Sequence, residues 1–206
     1  MTTRKSITFC TAILMALLAS LLPTLASADD HRPKSPEATA STQIGDKWID
    51  VHYSGPILRG RNGIFGSGEE YGSTVSGGGP LWRAGANVTT RIHTEADLEI
   101  AGTAVPAGEY SLFIELKEGA WTAVISSQPH METFSREKVS EGQTWGAYGY
   151  SQEFDVVRAP MQVSDPGMSV DQMAFFFADV TDDGGMLGLI WDNQMAMLPF
   201  SVAASE

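Results

Sequence analysis

Cysteine is nearly absent from this sequence, because Cys10 is the only one in 206 residues. A disulfide within the chain is therefore excluded, since a bridge needs two cysteines. The fold must be stabilised by its apolar core alone, and a chain of this length can build one as a single domain. The side chains for such a core are present and include five tryptophans and nine phenylalanines.

Basic residues are also few. Thirteen lysines and arginines stand against 25 aspartates and glutamates, which gives a formal net charge of -12 at pH 7. A surface with this excess of negative charge repels nucleic acid and anionic lipid, so we expect neither as a partner. The charge keeps the protein soluble and would favour cationic partners only weakly.

Recognisable catalytic motifs are missing as well. The sequence contains no GxSxG, no phosphate-binding loop and no dinucleotide fingerprint. The acidic stretch from Asp179 to Gly184 lacks the ligand spacing of an EF-hand and is explained by a turn. The sequence therefore predicts no metal, no cofactor and no catalytic residue, and it leaves open whether the protein is an enzyme.

The N-terminus has the three parts of a secretory signal peptide. Arg4 and Lys5 are positive, an apolar run follows from Ile7 to Leu22, and Ala26-Ser27-Ala28 supplies the small residues of a cleavage site. The apolar run is short for a membrane-spanning helix of about 20 residues, and Pro23 ends it. Cleavage is therefore favoured over a membrane anchor.

The chain is accordingly divided into three parts. We predict that residues 1–28 are removed, which places the protein in the periplasm or outside the cell without a transmembrane segment. Cleavage also removes Cys10, which does not lie at the cleavage site that lipidation would require. Residues 29–42 are polar and aperiodic, so we expect a flexible leader. A single all-β domain is expected over residues 43–206.

Alternation of apolar and polar residues recurs along this domain. In the segment 48–53, Ile49, Val51 and Tyr53 share one face, and the segment 109–116 alternates in the same way. Further strands are expected at residues 156–163 and 194–202. Such segments number about nine, with turn signals between them and no long amphipathic helix. The pattern predicts an antiparallel β-sandwich, jelly-roll-like, with an up-and-down β-barrel as the alternative.

Two segments lack this alternation of apolar and polar residues. Residues 54–87 contain ten glycines, and residues 126–153 are also irregular, with one helical turn expected from Phe134 to Val139. Long loops are uncommon in compact domains and are often functional, although they can also be simple insertions.

Several stretches resemble a known family. They are SGPILRGRNGIFG, LWRAGAN, TTRIHTEADLEIAGTAVPAGEYSLF, TWGAYGY, DVVRAPMQV and the closing GLIWDNQMAMLPF. Over nearly all of residues 35–200 the chain resembles the domain-of-unknown-function 2911 family of exported bacterial proteins. The resemblance implies an all-β fold and no activity. The stretches Ser67 to Pro80 and Ser127 to Thr144 are longer than is usual in the family, so a site formed by these loops could be widened or covered.

The irregular segments and their surroundings hold the side chains best suited to a ligand. Aromatic rings offer flat apolar surfaces, while arginine and asparagine offer directional donors for a sugar ring, a carboxylate or a peptide end. The alternative is structural, with each arginine binding backbone carbonyls or stacking on a tryptophan to order its loop. The candidate ligand-binding residues are Arg61, Tyr71, Trp82, Arg83, Asn87, Trp145, Tyr148 and Arg158.

The histidines give a second, weaker hypothesis. Asp50 and His52 share one face of a predicted strand, and Arg91 and His93 share one face of another. If these strands are neighbours, Asp50, His52 and His93 would approach each other and could form a metal or acid–base site. The positive charge of Arg91 would repel a bound cation. Histidines on strands more commonly face solvent without forming a site.

The absence of a nucleophile motif and of metal-ligand spacing favours binding over catalysis. We interpret the chain as a non-catalytic β-sandwich module outside the cytoplasm that binds a small polar ligand, a glycan or a protein through the two irregular segments. Two alternatives remain: a hydrolase acting on carbohydrate or peptide, and a structural envelope protein. Facing carboxylates in a loop cleft would favour the hydrolase, and a cleft filled by its own loops would favour the structural role.

Intact mass spectrometry tests the signal peptide. When the protein is expressed with its own N-terminus in an exporting bacterium, the recovered chain should begin at Asp29 and contain no thiol. Replacing Ala28 with leucine should block this processing, because the peptidase needs a small residue there. Exported material that still carries Cys10 would contradict the prediction.

Overall fold

The computed structural model describes residues 33–203, which form twelve β-strands and little other regular structure. The predicted signal peptide, residues 1–28, lies outside these residues. The strands in chain order are β1 (Glu37–Ile44), β2 (Lys47–Ser54), β3 (Thr90–Thr94), β4 (Leu98–Ile100), β5 (Thr103–Val105), β6 (Gly108–Glu115), β7 (Thr122–Ser126), β8 (Asp155–Pro160), β9 (Gln162–Ser164), β10 (Val170–Thr181), β11 (Gly184–Asp192) and β12 (Gln194–Val202).

The strands pair into two antiparallel sheets. The first sheet has the order β1-β2-β3-β6-β7-β8, and the second has the order β10-β11-β12-β4-β5, with β9 pairing with β12. The two sheets are not closed into a barrel. The predicted antiparallel β-sandwich is therefore confirmed, and the alternative of an up-and-down barrel is wrong.

The core lies between the sheets and follows from the period of two along each strand. In β2, Ile49 and Val51 are fully buried, and in β6 Leu112 and Ile114 are almost fully buried. Leu189 of β11 meets them from the second sheet within the same buried cluster. Burial of such side chains is the main stabilising contribution in a domain without disulfides.

The predicted flexible leader is wrong over residues 37–42, which form most of β1. This strand pairs with β2 along its whole length. Its sequence, EATASTQI, has few strong strand formers, so local propensity does not indicate a strand, and pairing with β2 overrides it. Ala38 and Ala40 pack against the core, while Thr39 and Ser41 face solvent.

Two further strands were not predicted, β5 and β9. β5 has only three residues and follows the tight turn Ala101-Gly102, in which both residues have positive φ. The run expected as one strand from Val156 to Val163 is divided at Met161. β8 belongs to the first sheet and β9 to the second, so the chain crosses between the sheets within an uninterrupted apolar pattern.

The two irregular segments contain short helices. Helix α1 (Ser73–Ser76) and a 3-10 turn (Gly68–Glu70) lie in the connection between β2 and β3. Helix α2 (Arg136–Ser140), at the position of the expected helical turn, and a second 3-10 turn (Gln152–Phe154) lie between β7 and β8. Among the described residues, no helix is long and apolar enough to cross a membrane.

Truncation of one inward side chain and its outward neighbour tests the two faces of β11. Leu189→Ala should lower the free energy of unfolding by about 2–5 kcal/mol, because it leaves a cavity at a fully buried position. Ile190→Ala, on the half-buried outer face, should cost less than half as much. Urea unfolding measures both values, and equal losses would contradict the assignment of faces.

Candidate functional site

The Gly-rich connection between β2 and β3 is attached to both sheets. Leu58 donates its backbone N–H to the carbonyl of Asp171 in β10, at 2.7 Å. Further along, Trp82 exchanges two backbone hydrogen bonds of 2.8 Å with Ile114 in β6. The connection is therefore an ordered part of the domain rather than a loose loop.

An aromatic cluster lies beneath this connection. The ring of Trp82 stacks on that of Trp191, with centroids 6.0 Å apart, and meets Trp121 edge-on at 6.2 Å. Phe65 packs against Trp121 at 4.9 Å. Trp82 is only 1% exposed and donates its indole N–H to the carbonyl of Gly85 at 3.1 Å. The structure thus places this candidate ligand-binding residue in the core.

Four of the eight candidate residues surround one cleft above this cluster, which we call the arginine cleft. Arg61, Arg83 and Asn87 line it, Trp82 and Trp191 form part of its floor, and its volume is about 370 Å³. Among residues 33–203, its other lining residues are apolar or uncharged, and none is a carboxylate. The cleft is therefore cationic, in a chain whose net charge is -12.

Arg61 stabilises its own loop with two of its five N–H donors. Its Nε donates to the carbonyl of Leu58 at 2.8 Å, and its Nη2 donates to the carbonyl of Ile57 at 2.9 Å. A guanidinium has five N–H groups, so three of them have no further acceptor among residues 33–203. The side chain is exposed, and the remaining donors are accessible to a ligand.

Arg83 connects the two irregular segments. Its guanidinium carbon lies 5.3 Å from the centre of the Trp145 ring, which is a cation–π distance. Its Nη1 donates to the carbonyl of Asn87. The guanidinium also packs so closely on Gly146 that a Cβ there would lie 2.3 Å from its carbon atom. Burial lowers the pKa of Arg83, because desolvation disfavours the charged form.

Beside Arg83, three rings form what we call the loop aromatic patch. Trp145 and Tyr148 flank a tight turn closed by backbone hydrogen bonds of 3.1 and 3.0 Å. The carbonyl of Gly146 in this turn accepts the buried hydroxyl of Thr89 at 3.0 Å. Phe134 lies edge-on to both rings at 5.8 and 5.6 Å and is 44% exposed. Sequence reasoning missed Phe134, although a phenylalanine between Thr133 and Ser135 was a visible signal.

The structure places Asn87 at the mouth of the arginine cleft. It is exposed, has a positive φ of 60°, and donates its side-chain N–H to the carbonyl of Ser35 at 3.3 Å. Asparagine tolerates this left-handed conformation better than most residues. Asn87 therefore holds the segment before β1 against the cleft.

Tyr71 lies outside the arginine cleft, in a smaller cavity of about 180 Å³ that also contacts Trp82. Its hydroxyl accepts the indole N–H of Trp121 at 3.0 Å and donates to Gln194 at 3.4 Å. Its ring stacks on Phe65 with centroids 6.1 Å apart. Burial raises the pKa of Tyr71 above its ordinary value. These contacts hold Tyr71 in place within the fold, which indicates a structural role.

Arg158 belongs to a separate polar network on β8. Its guanidinium forms ion pairs with Glu115 and with Asp155, the latter at 2.9 Å. It also donates to the hydroxyl of Tyr150 at 3.2 Å. Burial and the hydrogen bond to Asp155 raise the pKa of Tyr150 to about 12. Since its charge is already paired, Arg158 does not contribute to the cleft.

The strands named in the histidine hypothesis are neighbours, as that hypothesis required. β2 and β3 are neighbours, with Asp50 opposite His93 and His52 opposite Arg91. Arg91 donates to His130 at 2.9 Å and pairs with a nearby glutamate, so a cation occupies the middle of the group. Within residues 33–203, no group of three or more His, Cys, Asp or Glu side chains is arranged to hold a metal ion. The fourth histidine, at position 31, lies outside the described residues.

Comparison with known proteins gives one match. The model of a family described as "Protein of unknown function (DUF2911)" matches residues 35–200, which confirms the resemblance seen in the sequence. Searches of curated proteins and of solved structures gave no match. The match covers the arginine cleft and the loop aromatic patch, and brings no activity, ligand or catalytic residue with it.

Two glycine substitutions test the contact between Arg83 and the tight turn. Gly146→Ala should lower the free energy of unfolding by about 2–4 kcal/mol, because it combines a positive φ with a clash against the guanidinium. Gly77→Ala is the matched control, since Gly77 has nearly the same φ and nothing within 4 Å of its Cβ position. It should cost about 1–2 kcal/mol. Equal losses on urea unfolding would show that Arg83 moves away freely.

Proposed function

The chain belongs to the DUF2911 family of proteins of unknown function, and from that premise we propose that it is an exported, non-catalytic binding module. We propose that the arginine cleft takes a small anionic ligand, one that carries a carboxylate. The N-terminal signal pattern supports the export part of this proposal, and the charges of the cleft support the binding part.

One observation carries the binding proposal: Arg61 and Arg83 line the same cleft without a carboxylate partner. Within residues 33–203, neither forms an ion pair, whereas Arg91 and Arg158 each face at least one carboxylate. The chain has nearly twice as many acids as bases, yet no carboxylate among residues 33–203 lines this cleft. Two fixed cations of this kind suit a carboxylate, which guanidinium groups bind with paired hydrogen bonds.

The cleft also has the size and donors of a small-molecule site. Its volume of about 370 Å³ falls within the range of ligand pockets, about 300–1,000 Å³. Thr74 and Asn87 add uncharged polar groups at its rim, while Trp82 and Trp191 supply an apolar floor. A ligand that combines a carboxylate with a ring or a short carbon chain would match this distribution.

The two alternatives are less well supported. A hydrolase of the kind considered would need two carboxylates across the cleft, and none lines it in the part of the chain that the structure describes. A purely structural role accounts for the backbone bonds of Arg61 and for the stacking of Arg83 on Trp145. It does not account for the open volume that both arginines line, or for the lack of a carboxylate among the lining residues within 33–203.

A thermal-shift screen tests the proposal. The purified protein would be melted with mono-, di- and tricarboxylates, uronic acids, amino acids and neutral sugars. A carboxylate should raise the melting temperature by mass action, and added salt should reduce the shift, because salt screens the attraction. Removing one charge-assisted contact costs about 1.5–3 kcal/mol, so Arg61→Gln should weaken binding about 10- to 100-fold.

The matched control is Arg136→Gln, which removes the same charge from an exposed position in α2. It should leave binding unchanged, while Arg83→Lys should weaken it because lysine loses the planar donor geometry. The proposal fails if no anion stabilises the protein. It also fails if Arg136→Gln weakens binding as much as Arg61→Gln, since the cleft would then play no particular part.

A further inference from the structure

A second cavity lies on the outer face of the first sheet, where β1, β2 and β3 point away from the core. Pairing of these strands places Thr39, His52 and Arg91 in one row across this face, and Glu37 and Ser54 in the next row. All five residues line the cavity, whose volume is about 400 Å³. This volume is within the range of small-ligand pockets, about 300–1,000 Å³. We call it the polar cavity.

Two buried polar groups of this cavity are left unpaired by the fold. Ser54 is only 1% exposed, and neither its hydroxyl nor the Nε of Arg91 has a hydrogen-bond partner among residues 33–203. Buried polar groups are nearly always hydrogen-bonded, because an unpaired one gives up its bond to water without a replacement. The buried hydroxyl of Ser111, on the same face of the sheet, follows this rule and donates to the carbonyl of Gln128 at 2.8 Å. The unpaired groups of Ser54 and Arg91 therefore point to a ligand that supplies their partners.

The other polar side chains of the cavity are held in place by the fold. The hydroxyl of Thr39 and the Nδ1 of His52 are hydrogen-bonded at 3.0 Å, which orients the imidazole ring. The Nη1 of Arg91 donates to Glu132 at 2.7 Å and is bonded to His130 at 2.9 Å. Glu132 itself lines the cavity and comes from the irregular segment 126–153. The cavity is thus formed before a ligand arrives, which lowers the entropic cost of binding.

The charges of the cavity indicate which ligand suits it. Among residues 33–203, its charged lining residues are Glu37, Glu132 and Arg91, so negative charge exceeds positive charge by one. Arg91 is already paired with Glu132, and a ligand carboxylate placed there would be repelled by both glutamates. A hydroxyl group suits the unpaired atoms better, because it accepts from Arg91 and also donates to or accepts from Ser54. An ammonium group would be attracted to Glu37, which is exposed at the rim.

We propose that the polar cavity binds an amino sugar, a ring that carries one ammonium group and several hydroxyls. The hydroxyls pair with Ser54, His52 and Arg91, and the ammonium group pairs with Glu37. The net charge of -12 on the whole chain attracts such a cation. The polar cavity and the arginine cleft share no lining residue among residues 33–203. This inference therefore does not depend on the proposed carboxylate ligand.

A titration with glucosamine, followed by two-dimensional NMR, tests the proposal on the purified, processed protein. The amide signals of Ser54 and Val88, which both line the cavity, should shift with a dissociation constant on the order of millimolar. N-acetylglucosamine keeps the ring but loses the positive charge, and glucose lacks the amine altogether. Both should bind about tenfold more weakly, because each lacks the charge-assisted contact.

Replacement of Ser54 distinguishes a ligand contact from a structural role. Ser54→Ala should weaken glucosamine binding about fivefold, yet it should not lower the melting temperature, because it removes a buried hydroxyl without a partner. Ser111→Ala is the matched control. It should lower the melting temperature and leave binding unchanged, because it breaks an existing hydrogen bond away from the cavity lining.

Replacement of Glu37 tests the ammonium contact. Glu37→Gln should weaken glucosamine binding about tenfold, while Glu99→Gln, at an exposed position of β4, should leave it unchanged. Arg61→Gln, which alters only the arginine cleft, should also leave glucosamine binding unchanged. The proposal is overturned if glucosamine shifts no signal around the cavity, or if glucose binds as tightly. It is also overturned if Ser54→Ala lowers the melting temperature without affecting binding.

Discussion

Trp82 is the point at which the Gly-rich connection meets both sheets. Its backbone pairs with Ile114 of the first sheet, and its ring stacks on Trp191 of the second. Without disulfides, 35 residues between β2 and β3 can be ordered only if burial outweighs their conformational entropy. Aromatic rings bury the most area for each residue fixed, and each favourable ring pair adds about 0.5–1.5 kcal/mol. The stacked rings of Trp82 and Trp191 form the floor of the arginine cleft, so the cleft depends on this packing.

The buried position of Trp82 also determines the surroundings of the Arg83 charge. Residue 83 follows Trp82 directly, so the core fixes where its guanidinium lies. Desolvation there is unfavourable to the charge, which lowers the pKa of Arg83, and the ring of Trp145 with one backbone carbonyl offsets only part of that cost. A bound carboxylate would supply the missing counter-charge. Gly146 supports this arrangement, because it has no side chain in the space that the Arg83 guanidinium occupies.

Periodicity predicted the strands well where one face of a strand is buried. β2, β6 and β12 were expected almost at their observed bounds, because alternation reports burial directly. β1 was missed because its inward residues are alanines, and β8 and β9 were merged because one apolar run serves two sheets. The same limit applies to the site. Arg61, Arg83 and Asn87 line one cleft, but Tyr71 and Arg158 lie outside it. Tyr71 bonds to Gln194 of β12 and Arg158 pairs with Glu115 of β6, and these partners come from distant strands that no local pattern identifies.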